Sequence, residues 1–211
     1  MPTKIGLISD THSTTAPLKE ALEIFEREKV NITICAGDIA GYGEDQLEET
    51  IDLLQTNHCL MISGNHDYYD AATMPEIGSD KIKMFFDSLP THLEITIENK
   101  HIYVVHASPP DAQHDGIKLL DPDGRVFEDR IKHWENELKD FEYDILIVGH
   151  THQIFSENMG NILVINPGST TFNHNCSILH LPDMHVQNFA LSGKTPIKVW
   201  NWSMLYAKGN T

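Results

Sequence analysis

Five apolar runs in this chain stop at a residue that can bind a cation. Lys4–Ser9 is followed by Asp10, Ile32–Ala36 by Gly37-Asp38, and Cys59–Ser63 by Gly64-Asn65-His66-Asp67. His101–Val105 is followed by His106, and Ile145–Val148 by Gly149-His150-Thr151-His152. Short apolar runs bounded by turn formers read as buried strands. In a parallel sheet the ends of such strands lie along one edge, where ligands bind. Glycine before three of the five blocks lets the backbone turn sharply or approach closely. Side chains two apart on an extended segment point the same way, so Asp10 with His12, and His150 with His152, are each expected to aim two ligands at one place. Taken singly, an Asp after a strand is a turn former or helix cap, and a lone His is a surface group. Five coincidences at the same kind of position are not explained that way. Oxygen and imidazole donors in this mix suit Mn, Fe, Zn or Ni rather than Ca. They are too many for one tetrahedral zinc. Seven ligands suggest two metals with one shared carboxylate.

The elements between these blocks predict an α/β fold. Ala16–Lys29 carries Leu18, Leu22, Ile24 and Phe25 near helical spacing, and Asp45–Gln55 carries Leu47, Ile51 and Leu54. A β-α-β-α-β order implies parallel strands with right-handed crossovers. In the second half, Leu93–Ile97 and His101–Val105 flank Glu98-Asn99-Lys100 as a hairpin. A helix is expected over Val126–Lys139. Ile154–Glu157, Ile162–Ile165, Ser177–Leu181 and Val186–Leu191 follow as a meander or hairpins. The expectation is two mixed sheets packed together with helices outside, in one domain over residues 1–211. Tyr68–Asp80 and Ala107–Gly124 are long, rich in Pro, Asp and Gly, and each follows a candidate ligand. They read as walls of an active site.

Composition narrows the class of partner. Of 211 residues 40% are apolar, enough for a sizeable core, while 15 Lys and Arg against 31 Asp and Glu leave a formal charge of −16. A surface that acidic argues against a long nucleic acid or an anionic membrane as the main partner. No apolar run approaches the roughly 20 residues of a membrane span. Met1–Asp10 lacks a secretory-signal pattern. Three cysteines, Cys35, Cys59 and Cys176, suit a reducing compartment. A cytoplasmic location is expected.

The ordered set Asp10-x-His12, Gly37-Asp38, Gly64-Asn65-His66-Asp67, His106 and Gly149-His150-x-His152 resembles the calcineurin-like metallophosphoesterase superfamily. Within it the chain is most similar to the small bacterial and archaeal phosphodiesterase branch. The resemblance implies a four-layer α/β/β/α sandwich. It implies that Asp10, His12 and His152 hold a first metal, that Asn65, His106 and His150 hold a second, and that Asp38 bridges them. Of the candidate divalent metals, Mn is favoured. A metal-bridging hydroxide would attack phosphorus in line. His66 would not be a ligand: it would protonate the leaving alkoxide or stabilise the transition state. Asn65 and His66 would touch substrate, and Asp67 would orient a neighbouring His. Asn166-Pro167-Gly168-Ser169 looks like a family segment near the site and is equally an ordinary Pro-Gly turn.

Departures from relatives refine the expectation. Protein phosphatases and dinucleoside-tetraphosphate hydrolases of this superfamily carry Arg where this chain has Ser63, and an Asp paired with the catalytic His where it has Gly41. A phosphodiester monoanion needs less positive charge than a monoester, so a small phosphodiester is the preferred substrate. A monoesterase or nucleotidase on the same metals is the alternative. A non-catalytic protein-binding scaffold like the retromer subunit of this fold is another, disfavoured because such a member lacks the His found at His66. Tyr42, Tyr68 and Tyr69 flank ligand blocks and suit either packing or contact with a base or aryl leaving group. His114 reads as a surface residue within reach of the site. Trp200 and Trp202, with Ile197 and Val199, suit an edge strand or a homo-oligomer contact.

Overall fold

A computed structural model describes residues 2–42, 46–68 and 80–201. Tyr69, Trp202 and all but the ends of the segment 68–80 lie outside them. The first half runs β1 (Thr3–Ile8), α1 (Thr15–Arg27), β2 (Ile32–Cys35), α2 (Leu47–Thr56) and β3 (Leu60–Met61). Then come α3 (Asp80–Ser88), the hairpin β4 (His92–Ile97) and β5 (Lys100–Val105), and α4 (Glu128–Glu137). β6 (Ile145–Ile147), β7 (Ile154–Met159), β8 (Ile162–Pro167), β9 (Asn175–Leu181) and β10 (His185–Ala190) complete it.

Two five-stranded mixed sheets result, ordered β10-β9-β1-β2-β3 and β4-β5-β6-β8-β7. β1, β2 and β3 are parallel, with Ile5 opposite Ile32 and Ile8 opposite Cys35. β5, β6 and β8 are parallel in the other sheet. The late strands form hairpins as expected but divide between the sheets: β7 pairs with β8, while β9 and β10 return to pair with β1. Burial explains the return. β9 is buried at all but one position, as a strand between two neighbours must be, and β10 is largely exposed, as an edge strand is. α3 was not expected. Its Ile82, Phe85 and Phe86 share one buried face at helical spacing.

Alternation along the strands builds the layers. Ile5 and Leu7 of β1, and Ile34 of β2, face Ile102, Val104, Ile145 and Ile147 between the sheets. The opposite face of the first sheet, with Ile8 and Cys35, packs on Leu18 and Phe25 of α1, Leu54 of α2 and Phe86 of α3. On the outer face of the second sheet Tyr103, Val105, Leu146 and Val148 meet Ile131 and Trp134 of α4 and Leu138. The order of layers is α/β/β/α. No helix among the described residues is long and apolar enough to cross a membrane. The layering sets the C-terminal ends of β1, β2, β3, β5 and β6 along one rim.

Candidate metal centre

The rim carries an unusual density of buried polar groups. Asp10, His12, Asp38, Asp67, His106 and His152 are all buried. Their backbone is unusual as well: Asp10, His12, Asp38, His150 and His152 have φ of 52°, 46°, 53°, 62° and 48°. Non-glycine residues adopt this left-handed region rarely, and such outliers concentrate at functional sites. The alternation expected for an extended segment therefore does not apply. Asp10 and His12 still converge, with Asp10 Oδ1 4.0 Å from His12 Nε2. His150 and His152 part company: His152 joins Asp10 and His12, whereas His150 joins Asp38 and His106.

Glycine is required at two points by close approach rather than by φ. A Cβ at Gly64 would run into the carboxylate and backbone of Asp38, and one at Gly149 would run into Ser9 Oγ and Asp10 Oδ2. These glycines let four strand ends close in two pairs, β3 on β2 and β6 on β1.

Two groups of ligand atoms form side by side. In the first, His152 Nε2 lies 3.3 Å from Asp10 Oδ1 and 3.2 Å from His12 Nε2. Asp10 Oδ2 accepts from Ser9 Oγ and His150 N, but Oδ1 is buried without a hydrogen-bond partner. In the second, His106 Nδ1 sits 2.7 Å from Ala36 O, which it meets as a donor, leaving Nε2 to face Asp38 Oδ1 at 3.3 Å and Asn65 Oδ1 at 3.2 Å. His150 Nδ1 is 2.8 Å from Asn65 Oδ1. Asp38 lies with His106 and His150 in one group and with His12 and His66 in another, so it stands between the two halves. An orphaned carboxylate oxygen and two imidazole nitrogens facing each other are what a bound divalent cation would resolve. The donor set fits the metals expected.

A family description decides the kinship. The calcineurin-like phosphoesterase superfamily domain matches residues 3–185. The chain belongs to that superfamily. The uncharacterized protein MJ0912 of Methanocaldococcus jannaschii is 38% identical over 64 residues, which is 30% of this chain and 26% of that protein. The chain thus matches only about a quarter of that relative's length. Among solved structures, the Pyrococcus horikoshii protein PH1004 superposes with a TM-score of 0.73 at 17% identity, over 98% of this chain and 92% of that one. An archaeal phosphodiesterase superposes with a TM-score of 0.59 at 22% identity, over 90% of this chain and 100% of that one. At these identities the likeness is one of fold.

Electrostatics distinguishes the two halves of this candidate site. Burial opposes charge on Asp10, but His152, His106 and His12 outweigh it and hold the carboxyl well below the usual range. Burial also opposes charge on Asp38, and His106 keeps it low. Burial works against a proton on His106, yet Asp38 and then Asp10 push it up to about 9. Burial pushes His12 and His150 down to about 4. Without a cation at neutral pH, His106 and Asp38 are an ion pair, while His12 and His150 are neutral.

The remaining candidates sort by contact. His66 is exposed over the cluster, its N donating to Asp38 Oδ1 at 2.9 Å and its Nε2 lying 3.3 Å from the hydroxyl of half-exposed Tyr42. Tyr42 is its neighbour across the loop that holds Gly41, and the Asp38 carboxylate lies on its other side in the group with His12. Asp67 does not orient an imidazole. Its carboxylate accepts from Ala40 N and Gly64 N at 2.7 and 2.8 Å, because the turn after β3 folds it inward beneath both loops. Burial, then Asp38, pushes it up to about 7. Tyr68 lines a separate cleft with Ser63 and Phe86, away from the metal groups. His114 is exposed, its ring 6.2 Å from that of His150.

Several supporting residues carry no motif. Asn166 donates to Gly149 O at 2.8 Å, and Ser169 Oγ to Asp10 O at 2.6 Å. The Asn-Pro-Gly-Ser turn is therefore both a turn and a clamp on two ligand loops. Asn173 Nδ2 donates to His152 O and Ile197 O. The tail pairs at an edge through a single bridge: Val199 lies antiparallel to Gln153, with Ile154 N donating to Lys198 O and Trp200 N to His152 O, and the Trp200 ring stacks on Phe172 at 4.1 Å beside His152. A cleft of about 510 Å³ opens from the metal groups, and its lining includes Lys118 and Arg130. Lys118 comes from the segment Ala107–Gly124, which does line the site.

Proposed function

We propose that this superfamily member is a dinuclear phosphodiesterase acting on a small phosphodiester. The observation that carries the reading is the convergence of seven side chains from five strand ends into two adjacent groups with Asp38 between them. Asp10, His12 and His152 would hold one cation, Asn65, His106 and His150 the other, and Asp38 both. A divalent pair held there would supply Lewis-acid activation of the phosphoryl oxygens and an acidified water. Mn is the metal we favour.

The protein's own groups would do the rest. His66 stands at the mouth of the cleft, where it can deliver a proton to the departing alkoxide. Tyr42 steadies its Nε2 through the 3.3 Å contact. Asn65, through its amide, and His66 would contact the phosphoryl group. Asp67 fixes the two loops that carry Asp38 and Asn65 rather than meeting substrate. No Lys or Arg side chain pairs with Asp10 or Asp38 among the described residues, so charge at the reacting phosphorus comes from the cations. That favours a monoanionic diester over a dianionic monoester.

The test is turnover by manganese-loaded protein of bis(p-nitrophenyl) phosphate against p-nitrophenyl phosphate. The expected result is a larger kcat/KM for the diester. A larger value for the monoester moves the reaction to the monoesterase class. No turnover of either across a panel of bound metals contradicts an enzymatic role and favours the scaffold reading.

A further inference from the structure

Fifteen basic residues must serve a chain with 31 acidic ones, and most that are placed near an acid pair with it. Lys19, Lys83 and Lys100 each have a carboxylate partner within 3.2 Å. Lys118 and Arg130 have no carboxylate partner among the described residues, yet both face the cleft that opens from the metal groups. Among the described residues the one acid lining that cleft is Asp38, which is turned to His106 Nε2 and His66 N. In a molecule of charge −16, a cleft lined by Lys118 and Arg130, neither paired with a carboxylate among the described residues, offers a local attraction for an anion.

The pair is also held in place. Leu119 N and Leu120 N donate to Gln153 Oε1 at 2.8 and 2.9 Å, which ties the backbone after Lys118 to the residue after His152. Arg130 Nη1 donates to Leu120 O at 2.9 Å and to Lys118 O at 3.4 Å, and its guanidinium lies over the Phe127 ring at 4.5 Å. These contacts occupy one guanidinium nitrogen and leave other N–H donors available. The Arg130 guanidinium and the Lys118 backbone are thus fixed to the same framework as the His150–His152 loop.

Resting on the phosphodiesterase reading, we propose that Lys118 and Arg130 form a second anion subsite, which takes a phosphate on the non-reacting arm of the substrate. A Lys beside an Arg suits a phosphate dianion, with the guanidinium giving directed hydrogen bonds and the ammonium a point charge. The preferred substrate is then a diester that carries another phosphate. A cleft of about 510 Å³ has room for one.

The experiment compares binding of thymidine 3′,5′-bisphosphate and thymidine 5′-monophosphate to metal-loaded protein by calorimetry, with turnover of their p-nitrophenyl diesters in parallel. Wild-type protein should bind the bisphosphate about tenfold tighter, with the preference shrinking as salt is raised. Lys118→Met should bring the ratio near one, and Lys118→Glu should invert it. Lys118 is exposed and only its backbone carbonyl bonds to Arg130, so both variants keep the fold. A wild-type ratio of one, or a ratio unchanged in both variants, overturns the subsite. If the ratio behaves as expected but neither diester is cleaved, the subsite stands and the phosphodiesterase reading fails.

Discussion

The two halves of the cluster are built from the same residue types but held in different ways. The half around Asp38 is satisfied without a cation: His106 is fixed by Ala36 O, pairs with Asp38 and meets Asn65, which also meets His150. The half around Asp10 is not. Its two imidazole nitrogens face each other at 3.2 Å, Asp10 Oδ1 has no hydrogen-bond partner, and His152 is positioned by the rings of Phe172 and Trp200. The lesson is that two cations sharing Asp38 need not bind alike. One half must give up a proton from His106 to accept its ion, and the other gains its missing partners when the ion arrives.

The largest effect expected is at the shared residue. Asp38→Ala should lose both metal equivalents and about 10³-fold or more in kcat/KM, whereas Asp10→Ala should lose one equivalent; elemental analysis separates them, and one full equivalent kept by Asp38→Ala would break the bridge. His66→Ala should lower kcat by about 10²–10⁴-fold with metal content intact. Loss of metal instead would place His66 among the ligands, as its grouping with His12 and Asp38 permits. Asn173→Ala removes the clamp on His152 O and should weaken the Asp10-side ion by about 10–100-fold in a metal titration. Equal weakening of both ions would erase the distinction between the halves.

The smallest effect is a pH dependence. His106 is raised to about 9, so between neutrality and that value its cation displaces a proton. Affinity on that side should rise by about tenfold per pH unit, while His12 and His150, lowered to about 4, are already deprotonated. Calorimetry at two pH values above neutrality should show one binding event tighten and one hold. The metal-free protein should move the opposite way. The stability contributed by protonated His106 is fully present below about 6.5 and lost as pH rises through about 9, so its melting temperature should fall over that window.

How much of this was legible in the sequence depends on how local each signal is. Asp10, Asp38, Asn65, His106, His150 and His152 each follow an apolar run, and burial of that run forces the strand end to the rim. The way pairs diverge was not legible. Alternation assumes extended backbone, and φ of 62° at His150 and 48° at His152 sends the two rings to different halves. Nor was the sheet that β9 and β10 join, because a hairpin looks the same in either sheet and only the burial of β9 beside β1 decides. Asp67 was marked by its place in the block, but its bonds to Ala40 N and Gly64 N arise from a fold-back that no spacing encodes. Lys118, Arg130 and Asn173 have no local signature, since their positions are set by contacts with Gln153, Leu120 and His152.

Anomalous scattering from crystals grown with manganese addresses the shared cation pair most directly. Two manganese peaks per chain are expected, roughly 3.5–4 Å apart, one beside Asp10 and His152, the other beside His106 and His150, each within bonding distance of an Asp38 oxygen. A single peak, or two peaks that Asp38 does not touch, would contradict the shared pair.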